Sequence, residues 1–515
     1  MLETPRETLR WPRAARAAAL ACALSVAIAA GLALRYRWVL DDAYITFAYA
    51  RNLVRGDGLV FNRGERVEGY TSFSWVLASA LGLALGADIE TWSFALGALS
   101  LAGCVVGSFA LVLALFEDAG AHSRTLRYGA AALASAWVAA YAPLAFWAAS
   151  GMETALFTLL VVLSLRAYAE SGAGSRSAPL LVALSAVTRP EGALLALVLA
   201  VHALRTAGLR GALSFFGRFL APFAVYLLFR VGYYGQPLPN TFYAKVGGRL
   251  EQGLRGTRYL WSFVWTEGAF PLAVLAAAAP FTRRGRRAAA PAAFAAVYVA
   301  YVVAVGGDVF PASRFLVPLV PVLAALSAVT VGAGVARLAN AAGSSPRRET
   351  QLLLATPLAA WALVALLWIP VFRATDRDHA FMTALFEMGR APCADLRSRT
   401  KPGDSVAALG VGYLKFCTDL RVIDMLGLTD AHVARAPVPH FGEGCAGHER
   451  FDSRYVLGER PAYVLVPPPD ASIGGCRPAA VRDLWKQPEI GHEYVPDPLG
   501  LRRVDAPPPG GAARP

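Results

Sequence analysis

Lysine is nearly absent from this chain. Among 515 residues only Lys245, Lys401, Lys415 and Lys486 are lysines, so almost all of the 49 basic residues are arginines. Charge of either sign is also scarce: 17% of residues are charged, against about 25% in an ordinary soluble domain. The net charge of +13 comes with no lysine-rich tail and no nucleic-acid motif, so it does not read as a nucleic-acid binder. There is no P-loop and no dinucleotide fingerprint after a strand. Six cysteines are too few for a disulfide scaffold of this length. No CxxC or HxxxH spacing marks a metal site. The hydropathy shows no internal repeat, which weighs against a transporter built of paired halves.

What remains in excess is apolar: 56% of residues are hydrophobic. Most of that excess lies before residue 373, in runs long enough to cross a bilayer. The expected fold is mostly α, a polytopic membrane protein over residues 1–372. A small extracytoplasmic α/β domain follows over 373–505, and a disordered tail over 506–515.

The first apolar run, Ala17 to Leu34, follows Arg6, Arg10, Arg13 and Arg16. A signal peptide would look similar. An uncleaved first helix is preferred, because many spans follow and need a start. Its basic flank places the N-terminus in the cytoplasm and residue 35 outside. The outside segment 35–72 is polar and aromatic. Trp75 to Gly86 is apolar but short, and reads as interfacial or re-entrant. Further spans are expected near 92–116, 128–149, 154–170, 179–188, 192–206, 216–234, 257–281, 289–306, 314–338 and 351–372, about eleven with the first. The proposed cytoplasmic loops hold Arg124 and Arg127, then Arg166 and Arg176, then Arg205, Arg210 and Arg218. The patch Thr282-Arg-Arg-Gly-Arg-Arg287 is the densest. The outside loop is basic as well, with Arg51, Arg55, Arg63 and Arg66, but there the arginines alternate with acids.

Parity turns on 179–206, where Arg189-Pro190-Glu191-Gly192 interrupts the apolar run. A continuous helix would bury two charges at a cost of about 3 kcal/mol each and hold proline in its interior. Two short helices meeting at a polar break avoid both. With that count the C-terminal domain falls outside the membrane.

In that domain residues 379–390 look helical. Val406-Ala-Ala-Leu409, Arg421-Val-Ile-Asp424 and Tyr463-Val-Leu-Val466 look like short buried strands. Cys22 and Cys104 sit in apolar helices as packing residues. Cys393, Cys417, Cys445 and Cys476 all fall in the exported domain. Disulfides are the favoured reading there, with free thiols or zinc beside His440 or His448 as the alternatives.

Several short constellations carry candidate chemistry. Asp41-Asp42 lies just past the first membrane exit, ahead of an amphipathic helix. One reading is helix capping. The other is a general base at the membrane surface, drawing the proton from an acceptor hydroxyl. The two are compatible, with one Asp capping helix 43–54 and the other doing chemistry. Glu68 and Tyr70 belong to a glycine-rich outer loop. Glu153 marks an outer membrane edge after Ser150-Gly151, and Glu191 sits in the charged break. Asp308 lies in an outside turn ahead of Arg314, and Tyr243 and Lys245 in another outside loop. Each has a structural reading: helix starts, an internal Arg–Glu pair, a surface turn. Taken together, Arg189, Lys245 and Arg314 converge on the outer face, as a lipid-borne phosphate would require. Asp376-Arg-Asp378 looks like the acidic motif of nucleotide-sugar enzymes but falls outside the membrane, where such donors are not expected.

In this order, Asp41-Asp42, Arg51-Asn52-Leu53, Gly64-Glu65-Arg66-Val67-Glu68, Ser150-Gly151, Arg189-Pro190-Glu191, Gly232-Tyr-Tyr-Gly235, Ala244-Lys245, Gly306-Gly307-Asp308, Arg314 and Arg421-Val-Ile-Asp424 resemble the GT-C class of membrane glycosyltransferases. Within it the chain is most similar to the mycobacterial terminal β-(1→2)-arabinofuranosyltransferase family, and also to bacterial flagellar motor control proteins. The resemblance implies a polyprenyl-phosphate sugar donor and transfer on the outer face of a bacterial inner membrane, to a glycan, lipid or protein acceptor. Asp41 and Asp42 match that family's catalytic acidic pair. The sequence departs from the family at Glu68-Gly-Tyr-Thr71 and has a shorter C-terminal domain. The donor lipid is a co-substrate; no resident cofactor is expected, and a divalent metal stays open. The competing readings are a non-catalytic assembly factor for a surface organelle such as the flagellum, and a transporter.

Overall fold

The computed structural model describes residues 13–116, 121–247, 250–282, 285–341, 362, 366–439, 441–471 and 478–508. The chain builds a helical body and ends in a small mixed sheet. In lipid each backbone N–H and C=O must be satisfied within the segment, so the apolar runs form helices. They are α1 (Arg13–Arg35), α2 (Asp41–Arg55), α3 (Phe73–Ala84), α4 (Ile89–Leu115), α5 (Ala121–Ala140), α6 (Ala142–Ala148), α7 (Thr154–Ser171), α8 (Ser177–Thr188), α9 (Gly192–Tyr234), α10 (Asn240–Lys245), α11 (Leu250–Trp261), α12 (Phe270–Ala278), α13 (Ala289–Ala304) and α14 (Val320–Ala341). Leu20, Leu24 and Ile28 on α1, and Val225 and Leu228 on α9, are large apolar side chains left exposed. A soluble fold would bury them, whereas hydrocarbon solvates them at no cost.

Among the described residues five helices are long and apolar enough to cross a membrane, and up to seven if each of two bent pairs is one span. The expected spans map onto these helices, except that α8, with 12 residues, and α13, with 16, are apolar but shorter than a full span. The expected spans 192–206 and 216–234 are two arms of α9, which turns at Gly208 where φ is +68° and ψ −176°. The expected 128–149 is α5 and α6, bent by 63° at Tyr141. The expected 257–281 folds by 95° at Glu267-Gly268. Most of the expected span 351–372 lies outside the described residues. The short helix α3 has the 12 residues of an interfacial or re-entrant segment, too few to span.

The break at Arg189-Pro190-Glu191 is present: α8 ends at Thr188 and α9 starts at Gly192. Gly192 is required there, since a Cβ would stand 2.4 Å from the backbone of Ser185 and Ala186. The two helices therefore fold back on each other at contact distance.

Helix α15 (Ile369–Arg390) begins earlier than expected and leads out of the apolar body. Asp376 on it is taken up structurally, accepting from Arg35 at 3.0 Å and from the Tyr36 hydroxyl at 3.0 Å. Next come α16 (Pro392–Arg399), β1 (Ser405–Ala408), α17 (Gly412–Thr418), β2 (Arg421–Asp424), α18 (Ser453–Gly458), β3 (Tyr463–Leu465), α19 (Ala479–Leu484), β4 (Tyr494–Asp497) and β5 (Gly500–Arg503). The sheet order is β2-β1-β3-β5-β4, with the first three strands parallel and the last two antiparallel. The three strands expected from sequence are present, and the β4–β5 hairpin adds to them. Cys393 and Cys417 form a disulfide joining α16 to α17, and Cys445 is disulfide-bonded too. Cys476 and His440 lie outside the described residues. Cys22 and Cys104 are free and buried.

Candidate active site

The C-terminal domain docks on the outer loop and α2 through a dense polar seam. Asp419 accepts from Arg51 at 2.9 Å and from Arg55 and Arg63 at 3.1 Å. Arg421 reaches Glu65 at 2.6 Å and Glu459 at 2.8 Å. Asn62 pairs with the backbone of Val422 in both directions, at 2.9 and 3.0 Å. The carboxylate of Asp424 accepts the N–H groups of Leu426, Gly427 and Thr429, which fixes the loop after β2.

Asp41 belongs to this seam. Its carboxylate accepts the N–H of Gly412 at 2.9 Å and of Tyr413 at 2.8 Å, two orphan donors at the start of α17. Helix α2 itself has no side-chain cap. The expectation that one Asp caps helix 43–54 is thus corrected: Asp41 caps a different helix, some 371 residues on in the chain. The reason is packing. Gly412 lies so close to α2 that a Cβ would stand 2.0 Å from the Asp41 carbonyl oxygen. Burial pushes the Asp41 carboxyl up to about 6, against the pull of the two N–H groups.

Below the seam is a cavity of about 220 Å³. Its wall includes Asp42, Tyr70, Glu153, Arg189, Glu191, Lys245, Asp308 and Arg314, from α2, the outer loop, the α6–α7 and α8–α9 breaks, α10 and the turn after α13. The sequence-derived residues therefore do gather in one place. Three do not line it: Asp41, held in the seam, Glu68, and Tyr243, whose ring lies 4.1 Å under the Arg435 guanidinium. Glu68 stands one layer behind, paired with Arg230 at 2.8 Å. Burial pushes Glu68 up to about 7, opposed by Arg230.

The charges on this wall sort into pairs. Arg189 is gripped by Glu153 and Glu191, each at 2.8 Å and all three nearly inaccessible. The Arg–Glu pair that sequence offered as a structural reading is therefore formed. Arg314 Nε meets Asp308 at 2.6 Å, while its Nη1 has no partner. The turn that aims Arg314 holds Ala312 and Ser313 at φ of +52° and +38°, a strained pair for non-glycine residues. It is fixed from both sides, by Trp147 Nε1 on the Ala312 carbonyl and by Ser313 Oγ on Glu267. Arg230 faces Glu68, and Arg255 faces Glu449 at 3.1 Å. Two charges remain. Among the described residues, Asp42 and Lys245 have no ion-pair partner. Lys245 ends α10, which Asn240 ties to the C-terminal domain through the carbonyls of Gly427 and Leu428.

Sequence reasoning missed Arg230 and Arg255 and offered His448 only as a zinc partner; all three line the cavity. Arg230 had a signal, an isolated charge inside the apolar run 216–234. Arg255 and His448 had none: one lies on an amphipathic helix, the other in a glycine-rich loop. Among the described residues no cluster of three or more His, Cys, Asp or Glu is placed to hold a metal ion.

A helical membrane body with a cavity at one end, roofed by a small α/β domain, is the GT-C architecture. The chain shares this fold with ArnT from Cupriavidus metallidurans, solved bound to undecaprenyl phosphate (TM-score 0.54, 14% identity, 79% of this chain and 85% of that one) and in the apo state (TM-score 0.53, 15% identity, 79% and 86%). In sequence it is similar to the terminal beta-(1->2)-arabinofuranosyltransferase of Mycobacterium tuberculosis, 33% identical over 42% of this chain and 37% of that protein. The protein of that name from Corynebacterium glutamicum is 30% identical over 57% of this chain and 48% of its own length. The chain thus matches less than half the length of either relative. Residues 375–496 match a family described as a domain of unknown function, DUF8728.

Proposed function

We propose that this chain is an integral-membrane glycosyltransferase that moves a sugar from a polyprenyl-phosphate donor to an extracytoplasmic glycan, lipid or protein. The observation that carries the reading is the pair of unpaired charges in one cavity: a carboxylate, Asp42, and an ammonium, Lys245. The names of the sequence relatives support an arabinofuranosyl group. The undecaprenyl phosphate of the ArnT structure supports a lipid-phosphate donor for a protein of this fold.

In this reading Lys245, with the free Nη1 of Arg314, holds the donor phosphate by charge-assisted hydrogen bonds. Asp42 takes the proton of an acceptor hydroxyl as its oxygen bonds to the anomeric carbon. The bond from that carbon to the phosphate oxygen breaks, and polyprenyl phosphate leaves with the electron pair. Arg189 acts behind them, fixing the α8–α9 break through Glu153 and Glu191. Asp41 positions its neighbour by locking α2 to the roof.

The C-terminal domain lies on the extracytoplasmic side of a bacterial inner membrane, with the N-terminus in the cytoplasm. Its disulfide-bonded cysteines and the arginine-rich loops of the body support that orientation. A phosphatase fused after residue 373 is expected to be active, and a reporter that works only in the cytoplasm silent; the reverse result overturns the orientation. The activity is tested in proteoliposomes with labelled polyprenyl-phosphate pentoses and hexoses. Transfer by the wild type and its loss in Asp42→Asn support the reading. Absence of transfer from every donor by well-folded protein overturns it.

A further inference from the structure

His448 reaches the cavity from the C-terminal domain, through a loop that is held rigid on every side. Glu449 accepts the N–H groups of Gly442 at 2.6 Å and Gly444 at 3.0 Å and pairs with Arg255. Arg255 in turn donates to the carbonyls of Gly306 and Gly444. Cys445 is disulfide-bonded. The His448 N–H closes a turn onto the Cys445 carbonyl at 2.9 Å. Gly447 sits at φ +73°, with the Lys245 stem where its Cβ would be, 3.2 Å away.

The ring's own contacts decide its chemistry. Nδ1 lies 3.0 Å from the Ala446 carbonyl oxygen. A carbonyl only accepts, so Nδ1 carries the hydrogen. In the neutral ring Nε2 is then a bare lone pair, and it makes no hydrogen bond to any described residue. Asp42, Lys245 and Asp308 are the charged groups that act on it. A neutral acceptor on the wall of a cavity that also holds a carboxylate and an ammonium suits a hydroxyl.

We propose that His448 is a substrate-binding residue of this site, whose Nε2 accepts a hydrogen bond from a sugar hydroxyl, so that the C-terminal domain supplies part of the binding surface. This rests on the glycosyltransferase reading above. The hydroxyl belongs either to the incoming acceptor or to the donor's sugar, and the assay separates the two. Burial lowers the affinity of the ring for a proton. Nε2 therefore accepts at neutral pH, and substrate affinity falls when acidification protonates it.

The test is transfer in proteoliposomes by the wild type, His448→Ala and His448→Gln, with KM measured separately for donor and acceptor between pH 5 and 8. Loss of one hydrogen bond to a neutral group predicts about a fivefold rise in one KM with kcat little changed. The substrate whose KM rises is the one held. In His448→Gln, whose side-chain oxygen still accepts, the rise is smaller and the acidic weakening of that KM disappears. Unchanged KM for both substrates, or an acidic rise of that KM retained in His448→Gln, overturns the inference while leaving the glycosyltransferase reading intact. A wild type that transfers nothing overturns both. Correctly folded variants are recognised by the intact disulfide at Cys445.

Discussion

The seam and the cavity below it are built from the same residue types and are solved differently. In the seam every strong charge is answered: Asp419 by three arginines, Arg421 by two glutamates, Asp41 by two backbone N–H groups. In the cavity four arginines are answered as well, by Glu153 with Glu191, Glu68, Glu449 and Asp308. Asp42 and Lys245 are left over. An unanswered charge at a half-buried position costs stability and is kept where a ligand supplies the partner. Consecutive helical residues point about 100° apart, so neighbours in sequence fall into different regions: Asp41 into the seam, Asp42 into the cavity.

The comparison breaks most sharply at Asp42. Asp42→Asn keeps the shape and removes the base, and general base catalysis is worth about 10²–10⁴-fold. The expected outcome is a fall in kcat of that order, with thermal stability in detergent unchanged. A variant that folds and transfers at near wild-type rate would mean that the unpaired carboxylate is incidental.

Next comes Arg189, a cavity-lining cation gripped by two buried carboxylates. Arg189→Met strands two buried carboxylates, and breaking a buried ion pair costs about 3–5 kcal/mol. Poor recovery of folded protein by size exclusion is expected, restored in the triple variant with Glu153→Gln and Glu191→Gln. If Arg189→Met folds normally and loses only donor affinity, Arg189 belongs with Lys245.

Lys245 should behave the opposite way. Removing one charged hydrogen-bonding group costs about 1.5–3 kcal/mol of binding. Lys245→Ala is therefore expected to weaken donor affinity about tenfold or more, read as the donor KM, with the melting temperature little moved. A lowered melting temperature with unchanged donor KM would make Lys245 a structural residue instead.

Much of this was legible along the chain where the cause is local. A proline between two charges in an apolar run announces the α8–α9 break. Three short β-branched or apolar segments announce the parallel strands. What stayed hidden depends on partners far apart in sequence. Nothing near Asp41 reveals that its acceptor capacity is used by the start of α17. Pro496 argues against a strand at 494–497, yet β4 is the edge of the sheet, where a missing N–H does no harm. Three arginines on one aspartate read as an irregular charge pattern until Asp419 is placed among them.

The finest test concerns Asp41 and acidity. Its carboxyl is pushed from an ordinary 3.8 up to about 6, because burial penalises the anion more than two N–H groups reward it. Between about pH 4 and pH 6 the folded chain then holds a proton that the unfolded chain has lost. By linkage, stability from this group is greatest below that window and falls as pH rises through it. Asp424, also up to about 6, and Glu68, up to about 7, act in the same direction. Asp41→Asn removes the titration. Its amide can take one N–H but turns a donor toward the other, a loss of about 1 kcal/mol. The melting temperature measured between pH 5 and 8 should therefore drop slightly and depend less steeply on pH than in the wild type, while transfer falls far less than in Asp42→Asn. An unchanged slope would remove Asp41 from the buried seam. A fall in transfer as large as that of Asp42→Asn would show that α17 does not merely dock on α2 but holds the base itself in place.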